Sequence, residues 1–115
     1  FRQYINSDDG ASRLGEVALG GIDSPVYKSG RVFQEILFDE NAACHVAIGS
    51  AYKFCLDGGE SMSADDLHNI GCNESKTHTD IMISSDEVNV TATTFDGEHI
   101  PLIEAGNWLP LPGAC

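Results

Sequence analysis

The spacing of hydrophobic and polar positions changes several times along the chain, and each change marks a predicted element. Residues 13–22 predict a strand that carries Glu16 among its apolar positions and is ended by two glycines. An Asp-Ser-Pro sequence at 23–25 predicts a turn. Residues 30–41 place apolar side chains at helical spacing, so they predict a helix.

The middle of the chain, residues 42–56, predicts a strand by its alternation of period two. In that strand Cys44 and its alternate neighbours face a core, and His45 faces the opposite side. A continuous strand would turn Tyr52 away from His45, whereas a one-residue bulge or a helix would bring the two onto one face. The pattern leaves these arrangements open.

A second helix is predicted by a capping signal in the second half of the chain. Ser63 takes the N-cap position with Asp66 at N3, as in a capping box, and the helix ends near Gly71. After a polar loop, residues 78–84 predict another strand.

The last predicted element is a β-hairpin. Two arms rich in β-branched residues flank Asp96-Gly97, a dipeptide typical of a tight hairpin turn. Pro101 predicts that the second arm is an edge strand, and residues 106–115 predict an irregular tail. The whole pattern predicts an α+β fold with a mostly antiparallel sheet and two short helices, in one domain spanning residues 1–115.

Composition narrows the function classes. The chain has 115 residues, of which 42% are hydrophobic, and it lacks the run of roughly 20 apolar residues that a membrane-spanning helix needs. Its 18 acidic against 6 basic residues give a formal net charge of −12. That charge repels phosphate backbones and anionic lipids, so we expect neither a nucleic-acid partner nor a membrane partner.

The cysteines permit two disulfides in three connectivities, but their spacing matches no zinc-finger pattern. We expect no signal peptide, free thiols and a cytoplasmic protein. Because the chain starts without Met, we also expect a trimmed chain or the tail of a longer one. The four cysteines are Cys44, Cys55, Cys72 and Cys115.

Four side chains could carry chemistry. His78 and Asp80 lie two residues apart on a predicted strand, so they point the same way and can meet one metal ion or form a hydrogen-bonded surface pair. His45 lies in an apolar run, where it is either a metal ligand or a core histidine bonded to a backbone carbonyl. Glu16 either faces water or is buried against a cation.

Long blocks of the sequence then carry a family resemblance. RLGEVAL, LFDENAACHVAIG and the G-x-N-x-S-x-x-H-x-D-x-M-I block, followed by the Asp-Gly hairpin and GNW, lie within residues 10–108. In this order they resemble the C-terminal part of the thermophilic-type metallo-aminopeptidases, the family of aminopeptidase T, aminopeptidase S and PepS.

The resemblance implies a function and a set of site residues. Members of the family are exopeptidases that use two divalent metal ions, zinc or cobalt, to remove residues from peptides with a free N-terminus. It implies that Glu16, His45, His78 and Asp80 are metal ligands. It also implies that Glu16 and Tyr52 are catalytic residues.

The chain also departs from the family. Members are several times longer, with an N-terminal lobe and a further ligand Glu upstream of anything matched here. Without that carboxylate we expect one metal ion or none in this chain, and whether the isolated chain is an active enzyme stays open. The alternative hypothesis is a non-catalytic metal-binding or assembly module that acts as a homodimer.

Overall fold

The structure is a computed structural model that describes residues 1–83 and 85–110. Its strands form two three-stranded sheets, ordered β1-β2-β3 and β4-β5-β6, and short helices connect them. The predicted α+β class is therefore confirmed, with the helical residues divided among more and shorter pieces than expected. The elements are α1 (Arg2–Ile5), β1 (Leu14–Ala18), α2 (Pro25–Ser29), α3 (Ile36–Asp39), β2 (His45–Gly49), α4 (Ala64–Asn69), β3 (His78–Met82), β4 (Val90–Thr93), β5 (His99–Glu104) and β6 (Asn107–Trp108), with 3-10 turns at Glu40–Ala42, Lys53–Cys55 and Gly59–Ser61.

Backbone contacts divide the chain into two compact units. The first unit contains residues 1–18 and 46–81, and the second contains residues 19–45 together with the described residues from 82 onward. Ala11 and Ala47 are completely buried in the first unit, and Cys44 and Ile103 are buried in the second. No helix in the two described ranges is long and apolar enough to cross a membrane.

Helix α4 of the first unit begins as the sequence predicts. The Ser63 hydroxyl oxygen accepts a hydrogen bond from the Asp66 backbone N–H at 3.1 Å and donates one to the Asp66 carboxylate at 2.7 Å. Gly71, with φ of +85°, follows the last turn. Both ends were predictable because the signals lie within a few residues of the helix.

Strand β2 is shorter than predicted, and its facing differs. It ends at Gly49, whose φ of +105° turns the chain out of the sheet. His45, Ala47 and Gly49 are buried, whereas Val46 and Ile48, which were expected to face the core together with Cys44, are only half-buried; Cys44 itself is buried. The prediction failed because it ranked positions by hydrophobicity, while small residues fill the tightly packed side of this strand.

In the second unit the predicted turn at 23–25 is present at residues 23 and 24, directly before α2 begins at Pro25. The predicted helix at 30–41 forms only from residue 36 onward, as α3 and the 3-10 turn that follows it. The Ser24 hydroxyl accepts a hydrogen bond from the Val26 N–H, and Pro25 takes the first helical position, where its missing N–H costs nothing. Gly30, with φ of +61°, ends α2 inside the segment that was expected to be helical.

The carboxylate of Asp39 shortens α3. One oxygen accepts from the Phe33 N–H at 2.9 Å, and the other accepts from the Glu35 N–H at 3.3 Å. Between them Gln34 has φ of +60°, which is incompatible with a helix. The apolar residues do have helical spacing. However, the hydrogen bonds from the backbone N–H groups of Phe33 and Glu35 to the Asp39 carboxylate replace the helix there, so only the last part of the predicted helix forms.

The predicted hairpin is confirmed, but the edge position of its second arm is wrong. Strands β4 and β5 pair antiparallel, and Gly97 has φ of +89° in the connecting turn. Strand β5 is the central strand of its sheet. Within residues 1–83 and 85–110, β6 pairs with Ile103 and Glu104, so Pro101 lies beyond the β5–β6 ladder and its missing N–H removes no hydrogen bond from that ladder.

The thiols of Cys44, Cys55 and Cys72 are free, as expected. The predicted irregular tail is wrong at Asn107–Trp108, which form β6, and its last residues, 111–115 with Cys115, lie outside the described residues.

Candidate metal centre

Strand β1 turns a carboxylate inward and its larger apolar side chains outward. The Glu16 side chain is 27% exposed, whereas Leu14 and Val17 beside it are 57% and 63% exposed. The sequence left open whether Glu16 faces water. In the structure it is the more sheltered side chain, and a carboxylate in such a place needs a positive or hydrogen-bonding partner.

Strand β3 supplies the partners. His78 and Asp80 are two residues apart, so they project from the same face, as the alternation predicts. The His78 Nε2 atom lies 3.1 Å from an oxygen of Glu16 and 3.2 Å from an oxygen of Asp80. Ligand oxygens of Glu16 and Asp80 lie within 4.8 Å of each other. One imidazole nitrogen and two carboxylate oxygens therefore converge on one point of the first unit.

The other ring nitrogen of His78 fixes the tautomer. Nδ1 lies 2.7 Å from the backbone carbonyl oxygen of Ser50. A carbonyl oxygen can only accept, so Nδ1 carries the proton and donates it. In the neutral ring Nε2 then keeps its lone pair and aims it at the two carboxylates, which is the arrangement of a metal-binding histidine whose outer nitrogen is held by a carbonyl.

This arrangement requires a positive charge between the three groups. A second ring proton could supply it, but a protonated Nε2 should then donate a well-aligned hydrogen bond to one carboxylate. His78 Nε2 and the nearest Asp80 oxygen are both buried, and within residues 1–83 and 85–110 neither has a hydrogen bond of acceptable geometry. The donor set, one imidazole and two carboxylates, instead fits a divalent cation.

Tyr52 lies against this group. Its ring centroid is 4.8 Å from that of His78 and 5.1 Å from that of Phe54, and 40% of the residue is exposed. The sequence left the direction of Tyr52 open because it depended on where β2 ends. The positive φ of Gly49 ends the strand and lets the following residues carry the Tyr52 ring to His78.

His45 is the first residue of β2, and by its contacts it belongs to the second unit. It is buried, with 5% of its surface exposed, and its Nδ1 lies 3.4 Å from the carbonyl oxygen of Ala43. That contact matches the backbone-bonded interpretation of His45. The same contact leaves a metal-ligand role for Nε2 open, because a carbonyl on one ring nitrogen commonly orients the other.

The residues that hold the loop before β3 did not stand out in the sequence. Asn73 donates to two backbone carbonyls, and Asp8 accepts hydrogen bonds from the hydroxyl of Ser75 and the N–H of Lys76. Asn73 and Ser75 belong to the G-x-N-x-S-x-x-H block, so the available signal was that block itself. Locally Asp8 shows only a turn in which its carboxylate accepts from the Gly10 N–H, whereas its partners in this loop lie 67 and 68 residues away.

Comparison with known proteins identifies relatives over almost the whole chain. A family model described as thermophilic metalloprotease (M29) matches residues 1–108. Aminopeptidase AmpS of Bacillus subtilis (strain 168) is 47% identical over 108 residues, which are 94% of this chain and 26% of that protein. Aminopeptidase T of Thermus aquaticus is 45% identical over 109 residues, which are 95% of this chain and 26% of that protein.

A solved structure agrees with these relatives. Wild-type AmpT from Thermus thermophilus matches with a TM-score of 0.81 at 46% identity, over 95% of this chain and 26% of that one. The chain thus spans about a quarter of the length of the relatives that it matches.

Proposed function

The chain belongs to the M29 family of thermophilic metalloproteases, and on that premise we propose that it forms a metal-binding part of an aminopeptidase. The observation that supports the proposal is the convergence of Glu16, His78 and Asp80. The proposed reaction is hydrolysis of the first peptide bond of a peptide with a free N-terminus.

We propose His45 as the fourth ligand and zinc or cobalt as the metal. His45 is buried at the start of the strand that lies between β1 and β3 in sheet order, and imidazole suits both ions. Two such ions would bring a charge of +4, of which Glu16 and Asp80 balance two. A two-metal site therefore needs a further carboxylate besides Glu16 and Asp80. With the four proposed ligands alone, we expect one bound ion per chain.

When bound, divalent ions polarise the peptide carbonyl and lower the pKa of a water molecule toward neutrality. Asp80 and His78 hold their positions through β3 and the Ser50 carbonyl. Glu16 would help to hold the metal and would take the proton of the attacking water. Tyr52, whose ring rests on His78, donates a hydrogen bond to the oxyanion of the tetrahedral intermediate or orients the water.

The test is hydrolysis of an amino-acid p-nitroanilide by the chain with added zinc or cobalt. The decisive variant is His78→Ala, and the matched control is His99→Ala, a histidine on β5 that lies near Thr93 in the other sheet. We expect turnover in the wild type and in the control, and its loss in His78→Ala. Equal release of nitroaniline by the wild type and His78→Ala would reject the proposal for this chain.

Metal binding without turnover would instead support the alternative, a metal-binding module that is not itself a catalyst. Light scattering would then test whether that module is a homodimer, because a clean monomer counts against the assembly role.

A further inference from the structure

We propose that Asn73 is a positioning residue for His78, holding the backbone carbonyl that fixes the tautomer of this ring. The inference rests on the proposed function in one respect, since it assigns His78 to a metal site. The structural chain from Asn73 to His78 is a series of hydrogen bonds within the first unit.

The first step is the side-chain amide of Asn73. Its Nδ2 lies 2.9 Å from the carbonyl oxygen of Gly10 and 2.6 Å from that of Gly49. Both neighbours can only accept, so the nitrogen must face them, and it donates one hydrogen to each. The amide thereby ties the end of β2 to the segment before β1.

The second step is a backbone hydrogen bond to Ala51, the residue after Ser50. The Asn73 carbonyl accepts a hydrogen bond from the Ala51 N–H at 2.8 Å. Asn73 therefore holds Gly49 with its side chain and Ala51 with its main chain, so it fixes the residues on both sides of Ser50. The Ser50 N–H donates to the Thr77 carbonyl at 2.7 Å, which joins the same turn to the residue before His78.

The third step is the contact with the ring itself. With its flanks held, the Ser50 carbonyl points at His78 Nδ1 from 2.7 Å, and Nε2 is left to face Glu16 and Asp80. Partners that orient a ligand histidine in this way typically contribute 10- to 100-fold in metal affinity. Asn73 touches none of these reacting groups in the described contacts, so it acts through Ser50.

The test compares Asn73→Asp with Asn69→Asp. Both variants replace an amide by a carboxylate, but Asn69 is an exposed residue at the end of α4. In Asn73→Asp the new carboxylate cannot donate and faces two carbonyl oxygens. Where Asn73→Asp does not fold, Asn73→Ser replaces it, since a hydroxyl keeps one donor and should give a smaller effect in the same direction.

The first readout needs no metal. Long-range proton–nitrogen NMR of the metal-free chain at a pH where His78 is neutral reports which ring nitrogen carries the proton. We expect the Nδ1–H tautomer to dominate in the wild type and in Asn69→Asp. We expect the Nε2–H tautomer to gain in Asn73→Asp, because the carbonyl that stabilises Nδ1–H is released. An unchanged tautomer in folded Asn73→Asp would overturn the inference.

The second readout is zinc or cobalt affinity by competition with a chelator. We expect about 10- to 100-fold weaker binding in Asn73→Asp and no change in Asn69→Asp. If the wild type binds no metal while the tautomer still responds to Asn73, the proposed function fails and the positioning role stands. If the wild type binds metal and Asn73→Asp is folded with an unchanged tautomer and affinity, the positioning role alone is refuted. A purely structural role would lower thermal stability without moving either readout in the folded protein.

Discussion

At Gly49 both the backbone conformation and the space around the residue require glycine. Its φ of +105° lies in a region that residues with a Cβ rarely adopt, and a Cβ built there would be 2.1 Å from the carbonyl oxygen of Thr77. Because ordinary contacts of this kind exceed about 3 Å, Gly49→Ala requires the backbone of one strand end to move by about an ångström. We expect Gly49→Ala to be one of the most destabilising single substitutions in the first unit.

The magnitude can be separated into two contributions. Placing alanine at a positive φ costs on the order of 1–2 kcal/mol. The displacement adds the loss of the Ser50 N–H bond to the Thr77 carbonyl, of 2.7 Å, and strain in the Gly49 N–H bond to the Arg13 carbonyl, of 2.8 Å. At about 1 kcal/mol for each hydrogen bond, the total is about 3–4 kcal/mol.

Gly71→Ala is the matched control. Gly71 has φ of +85°, but nothing lies within 4 Å of the point that a Cβ would occupy there, so alanine carries the backbone cost without the collision. In urea unfolding, with a slope of about 1.5 kcal/mol/M, the midpoints of the two variants should differ by about 1.3 M. Equal midpoints would refute the reasoning, since they would mean that the close approach of Gly49 to Thr77 contributes nothing.

Three further predictions concern the N-cap of α4, the stability at low pH and the effect of metal binding. Ser63→Ala removes the N-cap of α4 and should lower the free energy of unfolding by about 1 kcal/mol in urea. The pKa of Asp8 is lowered from 3.8, chiefly because its carboxylate accepts a hydrogen bond from the Lys76 backbone N–H. The stability that ionised Asp8 contributes is therefore present above pH 3.8 and is lost as the pH falls through the lower pKa of the folded state. The loss of stability on acidification should therefore be smaller in Asp8→Asn than in the wild type and unchanged in Asp9→Asn. The same dependence of stability on pH in Asp8→Asn and the wild type would contradict the assignment. Zinc or cobalt at about 100 times its Kd should stabilise the wild type by about 2.7 kcal/mol in thermal unfolding, and His78→Ala should show no such shift.

The elements that the sequence predicts well are those whose signals are local. The Ser63 cap and the Asp96-Gly97 turn are each specified within a few residues, and both are present. The helix expected at 30–41 forms only in its last part although its periodicity was clear. Periodicity does not show that Gly30 ends the preceding helix or that Asp39 captures the backbone N–H groups ahead of it.

The candidate site was only partly readable from spacing. The His-x-Asp pair had to share a strand face, and its atoms lie 3.2 Å apart. That Glu16 meets the same point depends on how β1 lies in the sheet, which spacing does not determine, so its assignment came from the family resemblance. The sequence predicts only a polar connection for the loop that carries Asn73. The role of Asn73 could not be predicted, because the residues to which its side chain donates are 24 and 63 positions away.

The most direct measurement of the central claim is the number of divalent ions that the chain retains after dialysis, determined by elemental analysis for the wild type, Glu16→Gln, His78→Ala and His99→Ala. We predict about one ion per chain in the wild type and in His99→Ala, with loss of binding in the two variants of the cluster. Retention of the same ion by His78→Ala and Glu16→Gln would contradict the claim that these side chains, together with Asp80, hold a metal.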